Sequence, residues 1–265
     1  MAILKGQLIF TGTIGDLTAY KRRDSDKIII RQKGGPSKSK IKKSRKFDLV
    51  RKNNAEFGGR ATATKWIRQA MWPQKSLADY GFTSSLNSLM KPMQELDTVS
   101  DLGRRSVLFT KNPHLLSGFN LNRRNIFDSI VRNPVIFSIH KESLSASLAI
   151  PSLVPGINFF TPGNVAMYSI VATLGILPDL HFNANGYRPQ KPYKDQVLPA
   201  VFETKWHPTL SSSPAETIEM KLTTIPPDES FCLLLSIGIR FGNIIDEGKV
   251  KQEKYAGAAK ILWVE

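Results

Sequence analysis

The sequence predicts a mostly β protein with an N-terminal α part. The expected body is an antiparallel β-sandwich, Ig-like or similar, preceded by a small β-meander, a basic linker and two or three helices. Three observations carry this. Beyond residue 107, helix-period patterns are scarce, and seven short runs rich in Val, Ile, Phe and Leu recur between Pro, Gly, Asn and Ser clusters. From Arg45 to Met93, apolar residues fall at helical spacing. The charge is also divided: residues 1–75 hold 19 Lys/Arg against 5 Asp/Glu, and residues 76–265 hold 18 against 17. A segment of net +14 thus precedes a body of net +1. The expected division is a basic N-terminal segment over 1–106 and a β body over 107–265.

Residues 2–10 and 14–20 read as strands around the turn residues Thr11, Gly12 and Thr13, and 27–32 reads as a third strand after Asp24, Ser25 and Asp26. Gly12 to Gly15 has the GxxG spacing of a KH loop, but that loop joins helices, and strand-like sequence on both sides makes a hairpin turn. Residues 33–44 have linker composition: Gly, Pro, Ser and Lys with one apolar residue. Two readings stay open there, a solvated tether or a contact with a polyanion. Helices are expected over about 45–93. Ser44 is the N-cap, Phe47, Val50, Asn54 and Phe57 lie at helical spacing, and Gly58-Gly59 breaks or kinks the helix. The pattern resumes over 61–71 with Trp66, Ile67, Ala70 and Met71, and Pro73 ends it. A further helix covers about 77–93. In the body the candidate strands are 135–140, 144–150, 165–174, 200–206, 217–222, 231–241 and 258–264, with a turn at 255–257.

Composition excludes several classes of chemistry. The single cysteine, Cys232, rules out a disulfide within the chain and a cysteine-based zinc site, and its apolar surroundings predict a buried, protonated thiol. His114, His140, His181 and His207 lack the i, i+4 spacing of a helical zinc pair. No nucleophile elbow, Walker A loop or dinucleotide-binding glycine pattern occurs, and the paired acids Asp228-Glu229 and Asp246-Glu247 fall in turns. No catalytic residue, metal or cofactor is expected. Residues 1–10 lack a secretory pattern, and no apolar run approaches the ~20 residues of a membrane span. The expectation is a soluble, cytoplasmic protein, free or incorporated in a larger particle.

The function expected is therefore a structural or assembly protein, a homo-oligomer whose basic N-terminal segment docks on a neighbouring subunit. Its interface candidates are Phe47, Val50, Phe57, Trp66 and Ile67. The alternative is sequence-nonspecific nucleic-acid binding through the run 21–46, which carries twelve Lys/Arg against two Asp. The cations concerned are Lys21, Arg22, Arg23, Lys33, Lys38, Lys40, Lys42, Lys43, Arg45 and Lys46. Both meet in a coat-like assembly with basic arms facing nucleic acid. Trp66, beside Lys65 and Arg68, stacks on a base or packs a core. Arg104-Arg105 and Arg123-Arg124 extend the positive surface or are exposed turn arginines. A carbohydrate-binding module presenting Tyr187, Tyr193 and Trp206 is the third reading.

Six short motifs follow one another along the chain: TGTIGDLTAYK at 11–21, RQKGGPSKSKI at 31–41, RKNNAEFG at 51–58, DLGRRSV at 101–107, LLSGFNLN at 115–122 and YAGAAKILWV at 255–264. In these the chain resembles a bacterial family of soluble proteins of about this length. The resemblance covers nearly the whole chain and makes the basic segment part of the protein. It implies no activity, cofactor or catalytic residue.

Overall fold

The computed structural model describes residues 2–4, 10–22, 25–32, 34–194, 196–245 and 248–265. The chain is mostly β with several antiparallel sheets and few helices, and it divides into two compact units, Met1–Arg51 and Lys52–Glu265.

The first unit holds β1 (Ala2–Leu4), β2 (Gly12–Ile14), β3 (Leu17–Lys21) and β4 (Ile28–Gln32), joined in the order β1-β4-β3-β2. The run expected as one strand over 14–20 is split by a turn at Gly15 and Asp16, where Gly15 takes φ +54°, a conformation that suits a residue without Cβ. Ile14 consequently lies opposite Leu17, and Thr13 opposite Thr18. Of the strand expected over 2–10, residues 5–9 lie outside the described residues.

The stretch read as a linker carries a helix, α1 (Lys38–Lys43). Ser37 caps it, accepting a hydrogen bond from the Lys40 N–H at 3.2 Å, and its lysines are good helix formers. Arg51 Nη1 then donates to the carbonyls of Ile41 (2.7 Å) and Ser44 (2.8 Å), satisfying acceptors that the helix end leaves over. After a 3-10 turn over Arg45–Phe47 comes α2 (Asp48–Ala70). It runs without interruption through Gly58-Gly59, where a break was expected. The second glycine makes room: a Cβ on Gly59 would sit 2.7 Å from the ring of Tyr187. The glycine serves packing, and the helix tolerates its cost of about 1 kcal/mol.

Pro73 follows the end of α2, within a 3-10 segment over Trp72–Leu77, and α3 (Phe82–Glu95) comes next. A 3-10 turn spans Pro113–Leu116, and α4 is a single turn, Phe127–Ile130. The strands of this unit are β5 (Ile136–His140), β6 (Ser145–Ile150), β7 (Met167–Pro178), β8 (His181–Asn183) and β9 (Gly186–Arg188). They continue with β10 (Ala200–Glu203), β11 (His207–Pro208), β12 (Glu216–Lys221), β13 (Phe231–Ile244), β14 (Val250–Gln252) and β15 (Ala258–Val264). β7 and β13 pair antiparallel from Phe231↔Pro178 to Gly242↔Met167 and form the spine of a six-stranded sheet. β10 and β11 pair with β7, and β14 and β15 pair with β13. A second sheet has the order β12-β6-β5.

Period-two alternation sends the spine's side chains to two cores. Tyr168, Ile170, Ala172 and Leu174 of β7 and Leu233, Leu235, Ile237 and Ile239 of β13 pack with Leu148 and Ile150 of β6 and Ile218 of β12. On the other face, Val171, Leu177, Cys232 and Leu234 pack with Ala63 and Ile67 of α2 and Leu86 and Met90 of α3. Burial on both faces is why these strands read as unbroken apolar runs. The helical face also buries a polar chain: Gln74 Nε2 donates to the Val171 carbonyl (3.0 Å), Ser236 Oγ donates to Gln74 Oε1 (2.9 Å), and the hydroxyls of Thr173 and Ser236 lie 2.6 Å apart. Among the described residues, no helix is long and apolar enough to cross a membrane.

Candidate interaction surfaces and polar centres

In the N-terminal unit, α1 concentrates the cations. Lys38, Lys40, Lys42 and Lys43 are exposed, as are Arg45 and Lys46 just beyond, and among the described residues none of the six is in an ion pair. No carboxylate occurs between residues 27 and 47. The other cations singled out from sequence are placed differently. Lys21 Nζ lies 2.7 Å from Asp26 Oδ1, and that hydrogen bond holds the Asp26 carboxyl below its usual range. Arg22 donates its backbone N–H to the Lys27 carbonyl at 3.2 Å. Arg23 and Lys33 lie outside the described residues. Arg31 packs over the Tyr20 ring at 5.7 Å.

The same unit exposes apolar surface. Ile14 is 62% exposed and its cross-strand neighbour Leu17 46%, and Leu49 and Val50 are exposed on α2. Its buried hydrophobic side chains, among the described residues, are Ala19, Ile28 and Ile29. Of the interface candidates, Val50 and Phe57 are exposed and Phe47 is half-buried. Ile67 is fully buried, and Trp66 is half-buried with its ring 5.5 Å from that of Tyr193, so this pair fills the interior of the second unit.

The strongest polar centre belongs to the second unit and was missed from sequence. Glu56, buried on α2, receives Arg105 Nε on Oε1 and Arg105 Nη2 on Oε2, both at 2.6 Å, and the Gly103 N–H on Oε1 at 2.9 Å. Arg60 Nη2 adds a contact at 3.4 Å, while Arg60 Nε donates to Gln94 Oε1 at 2.8 Å. Gln94 Nε2 in turn donates to the Arg105 carbonyl (2.9 Å) and lies 3.3 Å from the Tyr187 hydroxyl. The Arg105 hydrogen bond is the main cause holding the Glu56 carboxyl below its usual range, against burial. Burial raises the Tyr187 hydroxyl to about 12, helped by the charge of Glu56. Nearby, burial opposes ionisation of Asp97, yet the N–H groups of Ser106, Ser100 and Val99 lower it to about 2. With four donors on one carboxylate, Glu56 has no lone pair left for a substrate proton. The centre ties helix to loop. Arg105 is thus neither an exposed turn arginine nor part of a positive surface. The signal was present: Glu56 is the one carboxylate between Asp48 and Asp79, four residues before Arg60.

A second tie centres on Asn122. Its Nδ2 faces the carbonyls of Leu77 (3.3 Å), Tyr255 (3.2 Å) and Gly257 (3.1 Å), and its Oδ1 accepts from the N–H groups of Arg124 (2.9 Å) and Asn125 (3.2 Å). Backbone pairing of Gly118, Phe119 and Leu121 with Ile261 and Ala259 completes it. Four of the six motifs thereby meet in pairs, RKNNAEFG with DLGRRSV and LLSGFNLN with YAGAAKILWV.

Among the clefts of the second unit, two hold ionisable groups of interest. One, of about 820 Å³, is bordered by His140, Lys141, Glu142, Asp228 and Glu229, and among the described residues no group of three or more His, Cys, Asp or Glu is placed to hold a metal ion. The other, of about 690 Å³, is bordered by Arg104, Ser106 and His181. Its Ser106 Oγ and His181 Nδ1 are 3.4 Å apart, and among the described residues no carboxylate is hydrogen-bonded to that ring. The three aromatics of the sugar-platform reading are spread out in role: Tyr187 is buried against Gly59, Tyr193 packs on Trp66, and Trp206 lies under Arg240, 5.1 Å away. Comparison with protein-family models, with curated proteins and with solved structures finds no match to the chain.

Proposed function

We propose that the chain is a non-catalytic assembly protein whose N-terminal unit docks on a second copy, with a body built as a β-sandwich around the β7–β13 spine. The observation that carries this is an imbalance within residues 1–51. Among the described residues, the buried apolar side chains number three, Ala19, Ile28 and Ile29, while Ile14, Leu17, Leu49 and Val50 face solvent. A domain of about 60 residues is already marginal with a complete core. Ile14 and Leu17, opposite each other and exposed, supply the kind of surface that an added protein face covers, and β2, an edge strand among the described residues, offers a place for another strand.

The test is light scattering on the full chain carrying Ile14→Lys and Leu17→Lys. The expected mass falls from a multiple of 29.6 kDa to a single chain. An unchanged multimeric mass would place the contact elsewhere and overturn this reading.

A further inference from the structure

We infer that α1 and the residues just after it form a sequence-nonspecific nucleic-acid site that grips phosphates. This goes beyond the assembly reading and does not depend on it. Four lysines stand on a helix of six residues, followed by Arg45 and Lys46, and none of the six has a carboxylate partner among the described residues. Elsewhere in the unit, where an acid is near, it is used: Lys21 with Asp26, Arg51 with Asp48 at 3.3 Å. On the helix Lys38 and Lys42, four apart, share one face, and Lys40 and Lys43, three apart, share another, so either face presents a pair of cations to phosphates.

Three classes of polyanion compete for such a patch. An anionic lipid surface attracts lysines by charge, but stable anchoring adds an apolar face, and α1 offers one apolar side chain, Ile41, already half-buried. Acidic proteins bind through interfaces whose cores are depleted in lysine. Nucleic-acid backbones are neutralised by exposed lysine and arginine and need no apolar contact. With four lysines on six residues and no Asn or Gln to read adenine edges, α1 is suited to contact phosphate, which carries no sequence information. The Ser37 cap and the Arg51 clamp hold the backbone of α1 in place, so binding orders side chains and leaves the main chain as it is.

Fluorescence anisotropy tests this on the full chain with a labelled mixed-sequence DNA duplex over a salt series. A variant with Lys38, Lys40, Lys42 and Lys43 changed to Gln keeps helix propensity. A control changes the exposed body lysines Lys191, Lys194, Lys205 and Lys251 to Gln, removing the same charge. The expected result is a steep salt dependence whose log–log slope falls by about 2 in the α1 variant and stays at the wild-type value in the control. The α1 variant should keep the wild-type mass in light scattering, which separates this inference from the assembly reading. Absence of binding at low salt, equal slopes in both variants, or equally tight binding to anionic vesicles would each overturn it.

Discussion

Arg105 grips Glu56 with both arms of its guanidinium, Nε on Oε1 and Nη2 on Oε2, each at 2.6 Å, and the carboxylate is fully buried. The pair joins the middle of α2 to the loop that follows α3. Removing one partner leaves a buried charge without its counter-charge, so Glu56→Gln or Arg105→Met should each cost about 3–5 kcal/mol. The double variant should cost less than the two single losses added together, because each single loss includes the partner it strands. Urea unfolding midpoints measure all three.

Asp97 gives the fold an acid limb. Its carboxyl is held at about 2, and Glu56 is lowered as well. A carboxyl depressed in the folded state contributes stability above its unfolded value of about 4, and that contribution fades as pH falls through the folded value. Stability should therefore decline from about pH 4 towards pH 2, and Asp97→Asn should flatten that decline. Unfolding followed by circular dichroism across this window reads the slope.

The adjacent glycines of α2 should behave oppositely. An added Cβ on Gly58 meets nothing within 4 Å, whereas on Gly59 it meets the Tyr187 ring at 2.7 Å. Gly58→Ala should stabilise by about 0.5–1 kcal/mol through helix propensity. Gly59→Ala should destabilise by about 1–3 kcal/mol through overpacking. Thermal melts of the two proteins should move in opposite directions.

Cys232 should be silent. Burial pushes its thiol up to about 12, so almost no thiolate exists at neutral pH. A chromogenic disulfide reagent should leave the native protein unlabelled and react with one thiol per chain after denaturation. Rapid labelling of the folded protein would contradict the packing of β13 against the helices.

What the sequence revealed depended on whether the cause was local. β6, β12, β13 and β15 fall close to their expected places because their apolar patterns are self-contained. β10 stops at Glu203, earlier than expected, and β11 rejoins β7 at His207 after a break that no local signal announces. The hairpin of β8 and β9 was missed because three-residue strands carry too little pattern. Gly58-Gly59 looked like a helix breaker because the reason for Gly59 is the ring of Tyr187, far along the chain. Helix α1 was hidden by linker composition: Ser44 was read as the cap of the next helix, whereas Ser37 caps α1, and the Arg51 clamp depends on tertiary placement. The cations themselves were plain to see. Which stay unpaired was not, since the Lys21–Asp26 contact follows from the β3–β4 turn. Arg105 stood out only as half of a doublet and Glu56 not at all, because only the fold brings them together.

The central claim is that the N-terminal unit joins one copy to another. The mass of the unmodified full chain, measured by multi-angle light scattering over a wide concentration range, tests it most directly. The predicted result is a stable multiple of 29.6 kDa that persists on dilution. A single-chain mass at the highest concentration would contradict it.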